Sequence, residues 1–188
     1  MTAQQSFAEV SATVATDAGM LVLWDARRFE AVVDDDTWED ELLEEEDIVR
    51  HIQEGALVPL NVGGDGAFGV VVRSGTAAAP AGLTEREAAH RLVASQPYLF
   101  VSHGRALTSG IEDVAGDAPA GVLELPVAVG RHAVAVHLID WQAEAGSRDE
   151  MGRPVSGALP DFVVLINPAP PGQGTFRTAP TTFEAPNG

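Results

Sequence analysis

Leu57-Val58-Pro59-Leu60-Asn61-Val62, Gly63-Gly64-Asp65-Gly66, Ala67-Phe68-Gly69-Val70-Val71-Val72-Arg73 is the stretch that decides the fold. Two runs rich in β-branched and apolar residues flank a glycine-rich turn, so it reads as strand, turn, strand, paired as a hairpin. The same pattern occurs three more times. Val10 to Thr16 and Met20 to Trp24 flank Asp17-Ala18-Gly19; Tyr98 to Ser102 and Arg105 to Ser109 flank His103-Gly104; Val122 to Val129 and Arg131 to Asp140 flank Gly130. Four hairpins follow from this reading. Phe162 to Ile166 is a continuous apolar run of strand length closed by Asn167-Pro168, which fits a central strand buried on both faces.

Setting Gly66 against Gly130 and Gly19 against Gly104 aligns two halves, 7–75 and 97–167, each with two such units, so an internal duplication is weighed. Two helical segments interrupt the strands. Near 37–54, Trp38, Leu42, Val49 and Ile52 share one face at helical spacing, with Glu45 in the middle of that stripe. Burying an unpaired carboxylate is costly, so the expectation is a break there. Asp36 or Thr37 caps the first part, Asp47 caps a second short helix, and Gly55 ends it. Near 84–95, Thr84 and Glu87 form a capping box, and the helix is expected to stop before Pro97 with Ala89, Leu92 and Val93 facing inward. The fold class expected is mainly β with some α: an antiparallel sandwich or strongly curved sheet of about eight strands carrying two helices. Residues 1–167 form one domain. Residues 168–188 hold five of the twelve prolines and read as a tail or a wrapping arm, with Phe176 and Phe183 available as anchors.

Composition bounds the chemistry. All 11 basic side chains are arginine, and there is neither lysine nor cysteine among the 188 residues. That excludes Schiff-base and internal-aldimine chemistry, the lysine of a phosphate loop, and a thiolate nucleophile or ligand. The 28 acids against 11 arginines give a formal charge of −17, which disfavours nucleic-acid partners and anionic membranes. Ten acids (Asp34, Asp35, Asp36, Glu39, Asp40, Glu41, Glu44, Glu45, Glu46 and Asp47) lie in one run without a basic residue. A basic protein surface is the natural counterpart of such a run. General acidity also serves solubility, and a lysine-free arginine and alanine usage also fits a GC-rich genome or a high-salt surface. No positive side chain precedes Arg27, and Glu9 and Asp17 interrupt the apolar stretch, so no secretory leader is read. No run reaches the roughly 18 apolar residues of a membrane helix. With no cysteine, the location expected is cytoplasmic.

The catalytic candidates are few. His132 and His137 lie five apart in an alternating strand and point to opposite faces, so they do not chelate one ion. His132 and Asp140 share a face but stand roughly 26 Å apart, at about 3.3 Å per strand residue. His137 among Ala133, Ala135 and Ile139 reads as a core or rim histidine, and His51 and His90 as solvent residues on helices. His103, in a turn, is the most exposed candidate, yet no Gly-x-Ser-x-Gly elbow supplies a nucleophile. The glycine cluster at 63–66 precedes a strand and lacks a lysine, so it is a turn and not a phosphate cradle. No metal site or cofactor is expected, since neither acidic run has the ligand alternation of a calcium loop.

Two functions remain. The first is a non-catalytic acidic interaction protein, of the inhibitor or immunity type, that meets a basic partner through the ten carboxylates. The alternative is a small hydrolase-like enzyme or ligand-binding β protein using His103 or His137 with a carboxylate such as Asp140.

Overall fold

The computed structural model describes residues 8–172 and 174–183. Ten strands form two sheets: β1 (Ala8–Thr16), β2 (Met20–Trp24), β3 (Leu57–Asn61), β4 (Gly66–Ser74), β5 (Arg91–Ala94), β6 (Tyr98–Ser102), β7 (Arg105–Gly110), β8 (Leu123–Pro126), β9 (Gly130–Ile139) and β10 (Phe162–Pro168). Three α-helices, α1 (Asp35–Leu42), α2 (Glu45–Glu54) and α3 (Glu85–Ala89), complete the regular structure. The chain is a mainly β, two-sheet protein, as its alternation indicates.

The six-stranded sheet runs β1-β4-β10-β9, and β9 then pairs with β6 along its first half and β5 along its second. The four-stranded sheet runs β3-β2-β7-β8. All pairings are antiparallel except β10 with β4, which is parallel. This strand lies in the middle of its sheet, as its apolar run indicates, and its parallel pairing with β4 is the one departure from the antiparallel order expected.

None of the four glycine turns closes a hairpin. β1, β4, β6 and β9 belong to the larger sheet and β2, β3, β7 and β8 to the smaller, so each turn carries the chain across the sandwich from one sheet to the other. The pairing that a hairpin would make locally is made at long range, β1 with β4 and β2 with β3, then β6 with β9 and β7 with β8. Alternation and a glycine at positive φ, such as Gly19 at 69° and Gly104 at 124°, suit a sheet-crossing corner as well as a hairpin. What separates the two is burial: all four of Leu21, Val22, Leu23 and Trp24 are inaccessible to solvent, whereas a two-stranded ribbon would leave one face wet. The larger sheet runs β1-β4-β10-β9-β6 with β10 at its centre, and the smaller runs β3-β2-β7-β8 with β2 and β7 at its centre.

Two apolar clusters flank the larger sheet. Phe162, Val164 and Ile166 of β10 join the core between the sheets, and Val163 and Leu165 join a second cluster with Ala81, Ile139, Trp141 and Leu159. β10 is therefore buried on both faces, as its unbroken apolar run indicates.

The helical segments differ from expectation in their ends. Asp34, not Asp36 or Thr37, caps α1: its carboxylate accepts from the Thr37 N–H at 3.0 Å, and the Thr37 hydroxyl accepts in return from the Asp34 N–H. The break falls at Leu43 and Glu44, one residue before Glu45, which is exposed. Glu44 stands at the cap of α2 without a side-chain bond, and Asp47 binds Arg50 instead of capping. Gly55 closes α2 at φ 73°. The helix expected over 84–95 ends at Ala89, although its capping box forms. Arg91–Ala94 becomes β5 and pairs with β9, leaving Ala89 and Leu92 exposed and only Val93 partly buried. The unsatisfied edge of β9 offers ladder bonds that outweigh a weak helical stripe.

Past β10, Arg177 donates from its backbone to the Pro97 carbonyl, Tyr98 donates to the Ala179 carbonyl, and the Phe183 N–H donates to the Asn61 carbonyl. Phe183 is buried against Phe162, with ring centroids 5.5 Å apart.

Candidate functional site

Helices α1 and α2 carry the ten-carboxylate run, and their amphipathic stripe decides which way the acids face. Leu42 and Ile52 are buried, and Trp38 is half-buried with its indole N–H donating to the Ile111 carbonyl at 3.0 Å. The opposite side is left to solvent. Asp34, Asp35, Asp36, Glu39, Asp40, Glu44, Glu45 and Glu46 are exposed, and only Glu41 and Asp47 are partly covered. Acids in the first turn suit each helix dipole: Asp35 and Asp36 on α1, Glu45, Glu46 and Asp47 on α2.

A single arginine enters this surface. Arg50 donates to Glu41 at 3.0 Å and to Asp47 at 3.2 Å. Its hydrogen bond holds the Glu41 carboxyl below the ordinary carboxylate range. The Thr37 hydroxyl does the same for Asp34. Every carboxylate of the run outside these contacts has no cation of the chain within ion-pair distance among the described residues. Two exposed apolar side chains flank α1 in sequence, Val33 at 74% and Leu43 at 57% exposure. A surface recess of about 760 Å³ is bordered by Glu44, Glu45, Glu46, Asp47 and Val49.

Below the acidic face lies a residue the sequence reading misplaced. His51 is buried, not solvent-facing: its Nε2 donates to Glu41 at 3.0 Å, and its ring tilts against Phe29 with centroids 4.8 Å apart. Burial, reinforced by the nearby Arg50 charge, pushes its pKa below the usual histidine value. Its Nδ1 has no hydrogen-bond partner among the described residues. The signal that was available in the sequence is position: His51 stands beside Ile52 on the inward side of α2, one turn before Gly55.

His103 does meet a carboxylate, but it is Asp25. The Asp25 side chain is buried and accepts three hydrogen bonds: from the Arg27 N–H at 3.0 Å, from the His103 N–H at 2.7 Å and from His103 Nδ1 at 3.2 Å. This arrangement orients the imidazole ring, whose side chain is 35% exposed. Asp140 is occupied elsewhere, capping the 3-10 turn Trp141–Ala143 through the Ala143 N–H at 3.1 Å. His137 is buried in β9, with Nδ1 unpartnered and its pKa pushed down by burial and by the neighbouring Arg91 charge. Neither histidine lines any of the four surface clefts described. Among the described residues no three His, Asp or Glu side chains converge to hold a metal ion, and no helix is long and apolar enough to cross a membrane.

No family model matches the chain, and the comparison with curated proteins gave no match. Solved structures of similar fold include the product described as "Crocagin biosynthetic gene J", at 18% identity over 87% of this chain and 97% of that one, with a TM-score of 0.52. A second is ComJ from Bacillus subtilis, described as an inhibitor of the DNA degrading activity of NucA, at 6% identity over 86% and 97% of the two chains, with a TM-score of 0.48. The first likeness shows a shared fold.

Proposed function

We propose that this protein is a non-catalytic interaction protein whose α1–α2 face docks on a basic protein surface, as an inhibitor or immunity-type protein does. One observation carries the reading: eight carboxylates on two consecutive helices and their N-caps are exposed, and the one arginine of that segment is already committed to Glu41 and Asp47. Such a field accelerates encounter with a cationic surface and gives complexes whose formation weakens as salt rises. Nucleic acid and anionic membrane are repelled by the same field.

The test is the fourfold variant Glu39→Gln, Glu44→Gln, Glu45→Gln, Glu46→Gln. These side chains make no hydrogen bond within the described residues, so the fold should survive, while affinity for the partner falls by at least about tenfold, the loss of a few interfacial charge pairs. Glu41 is kept, because it holds His51 and Arg50. Unchanged affinity would refute the acidic-surface reading.

Asp25 gives the alternative its one specific support, an oriented imidazole at His103. In an enzyme of that kind His103→Ala removes activity, while Asp25 keeps the backbone N–H bonds of Arg27 and residue 103 that hold the fold there.

A further inference from the structure

Three of the 11 arginines line one small cleft on this acidic protein. Arg27 and Arg28 come from the 3-10 turn Ala26–Arg28, and Arg50 comes from α2. The cleft measures about 350 Å³, within the range of small-molecule sites, and is lined also by the buried Phe29 and His51 and by two carboxylates, Glu41 and Glu54, which pair with Arg50 and Arg28.

The cleft carries unused positive charge. Arg50 is neutralised by Glu41 and Asp47. Arg28 donates one nitrogen to Glu54 at 2.9 Å, leaving the rest of its guanidinium, whose side chain is 31% exposed, without a carboxylate. Arg27 has no carboxylate partner among the described residues, although acids outnumber arginines 28 to 11 in the chain. The turn itself is held in place. The Asp25 carboxylate caps it through the Arg27 N–H and ties it to the β6–β7 corner through His103, so Arg27 and Arg28 sit on a pinned backbone and not on a free loop.

We infer that this cleft binds a compact oxyanion, the phosphate or carboxylate group of a small metabolite, through the guanidinium groups of Arg27 and Arg28. Guanidinium forks match planar and tetrahedral oxyanions in two-point hydrogen bonds, and a partly enclosed site keeps that match from being lost to water. The long-range field of the protein opposes anion entry, so binding is strongest where salt screens the acidic face while leaving the short contacts intact. This inference does not rest on the docking face proposed above, although Glu41 and Arg50 belong to both.

The experiment is a titration of the full chain with inorganic phosphate and, separately, with succinate, followed by arginine side-chain and backbone amide NMR shifts. Saturable shifts centred on residues 27–29 and on Arg50 are expected for at least one anion, and the comparison between the two assigns the ligand chemistry. Arg27→Gln with Arg28→Gln should weaken the binding by at least about tenfold, the loss of one or more charge-assisted bonds. Arg148→Gln, an exposed arginine outside the cleft, should leave it unchanged. Linear, non-saturating shifts with both anions, or an equal loss in the Arg148 variant, would overturn the inference. The fourfold glutamine variant of α1–α2 separates the two readings, because it should retain anion binding while losing the protein partner.

Discussion

At the residue scale, the side chains that matter most are charged or titratable groups that the fold has buried. Asp25 accepts three bonds at a solvent-free position, so Asp25→Ala should cost about 3 kcal/mol, the value of losing hydrogen bonds to a buried charge. Chemical denaturation of the variant measures it. His51 and His137 both have pKa values lowered below 6.5 by burial. A group with a depressed folded pKa binds its proton more readily in the unfolded chain, so its stabilising contribution is complete above 6.5 and is lost as pH falls toward the folded value. Stability should therefore decline on acidification below 6.5, and His137→Leu should make that decline shallower, as read from denaturation midpoints across pH. These positions were only partly legible. His137 reads as a core histidine from its apolar strand neighbours, and it is buried. His51 reads as a solvent residue because its sequence neighbours are charged, and Phe29, which covers it, is 22 residues away in the chain. His103 was singled out by its place in a turn, but its carboxylate partner came from 78 positions upstream, beyond any spacing rule.

At the element scale, local signals survived and pairing did not. Capping boxes at Asp34 and Thr84 and the glycine at the end of α2 are local chemistry, and two of the three were legible in sequence at the right residue. Gly55 is a strict case: at φ 73° a Cβ would lie 2.8 Å from Leu99 Cγ and 2.9 Å from Val101 Cγ2. Gly55→Ala should destabilise by about 2 kcal/mol from the left-handed backbone alone, with the packing clash adding to it. Strand pairing is decided by which faces are covered, and that information is global. The four glycine corners look like hairpins because the period-two pattern of a strand is the same whether its neighbour is the next strand or one sixty residues away. α3 illustrates the same limit, its capping box correct and its length cut short by β9. The buried pair of Arg73 with Glu87, at 2.7 and 2.8 Å, fastens α3 to β4, and Arg73 also reaches Glu9 of β1. Burial alone would raise the Glu87 pKa, but the Arg73 and Thr84 hydrogen bonds and the Arg73 charge together outweigh it and lower it. Glu87→Gln removes one of the two carboxylates that pair with the buried Arg73, Glu9 being the other, and should cost about 2 kcal/mol, the value of hydrogen bonds to a charged group, measurable as a drop in Tm.

At the scale of the whole molecule, the organising fact is the separation of charge from core. The sandwich is held by apolar clusters on both faces of β10, while ten of the 28 acids lie in one run on two helices that bury only one stripe. The fold class and the acidic focus were both legible, because composition and alternation are properties of the whole chain. The orientation of that focus was not, since it depends on Leu42 and Ile52 finding the core.

The most direct test of the account is binding of a tagged chain to its partner from the native cell lysate, wild type beside the fourfold α1–α2 glutamine variant, each washed at low and high salt. The account predicts one basic protein retained by the wild type at low salt, shed at high salt, and absent from the variant at both. A partner held equally by the variant, or unaffected by salt, would contradict it.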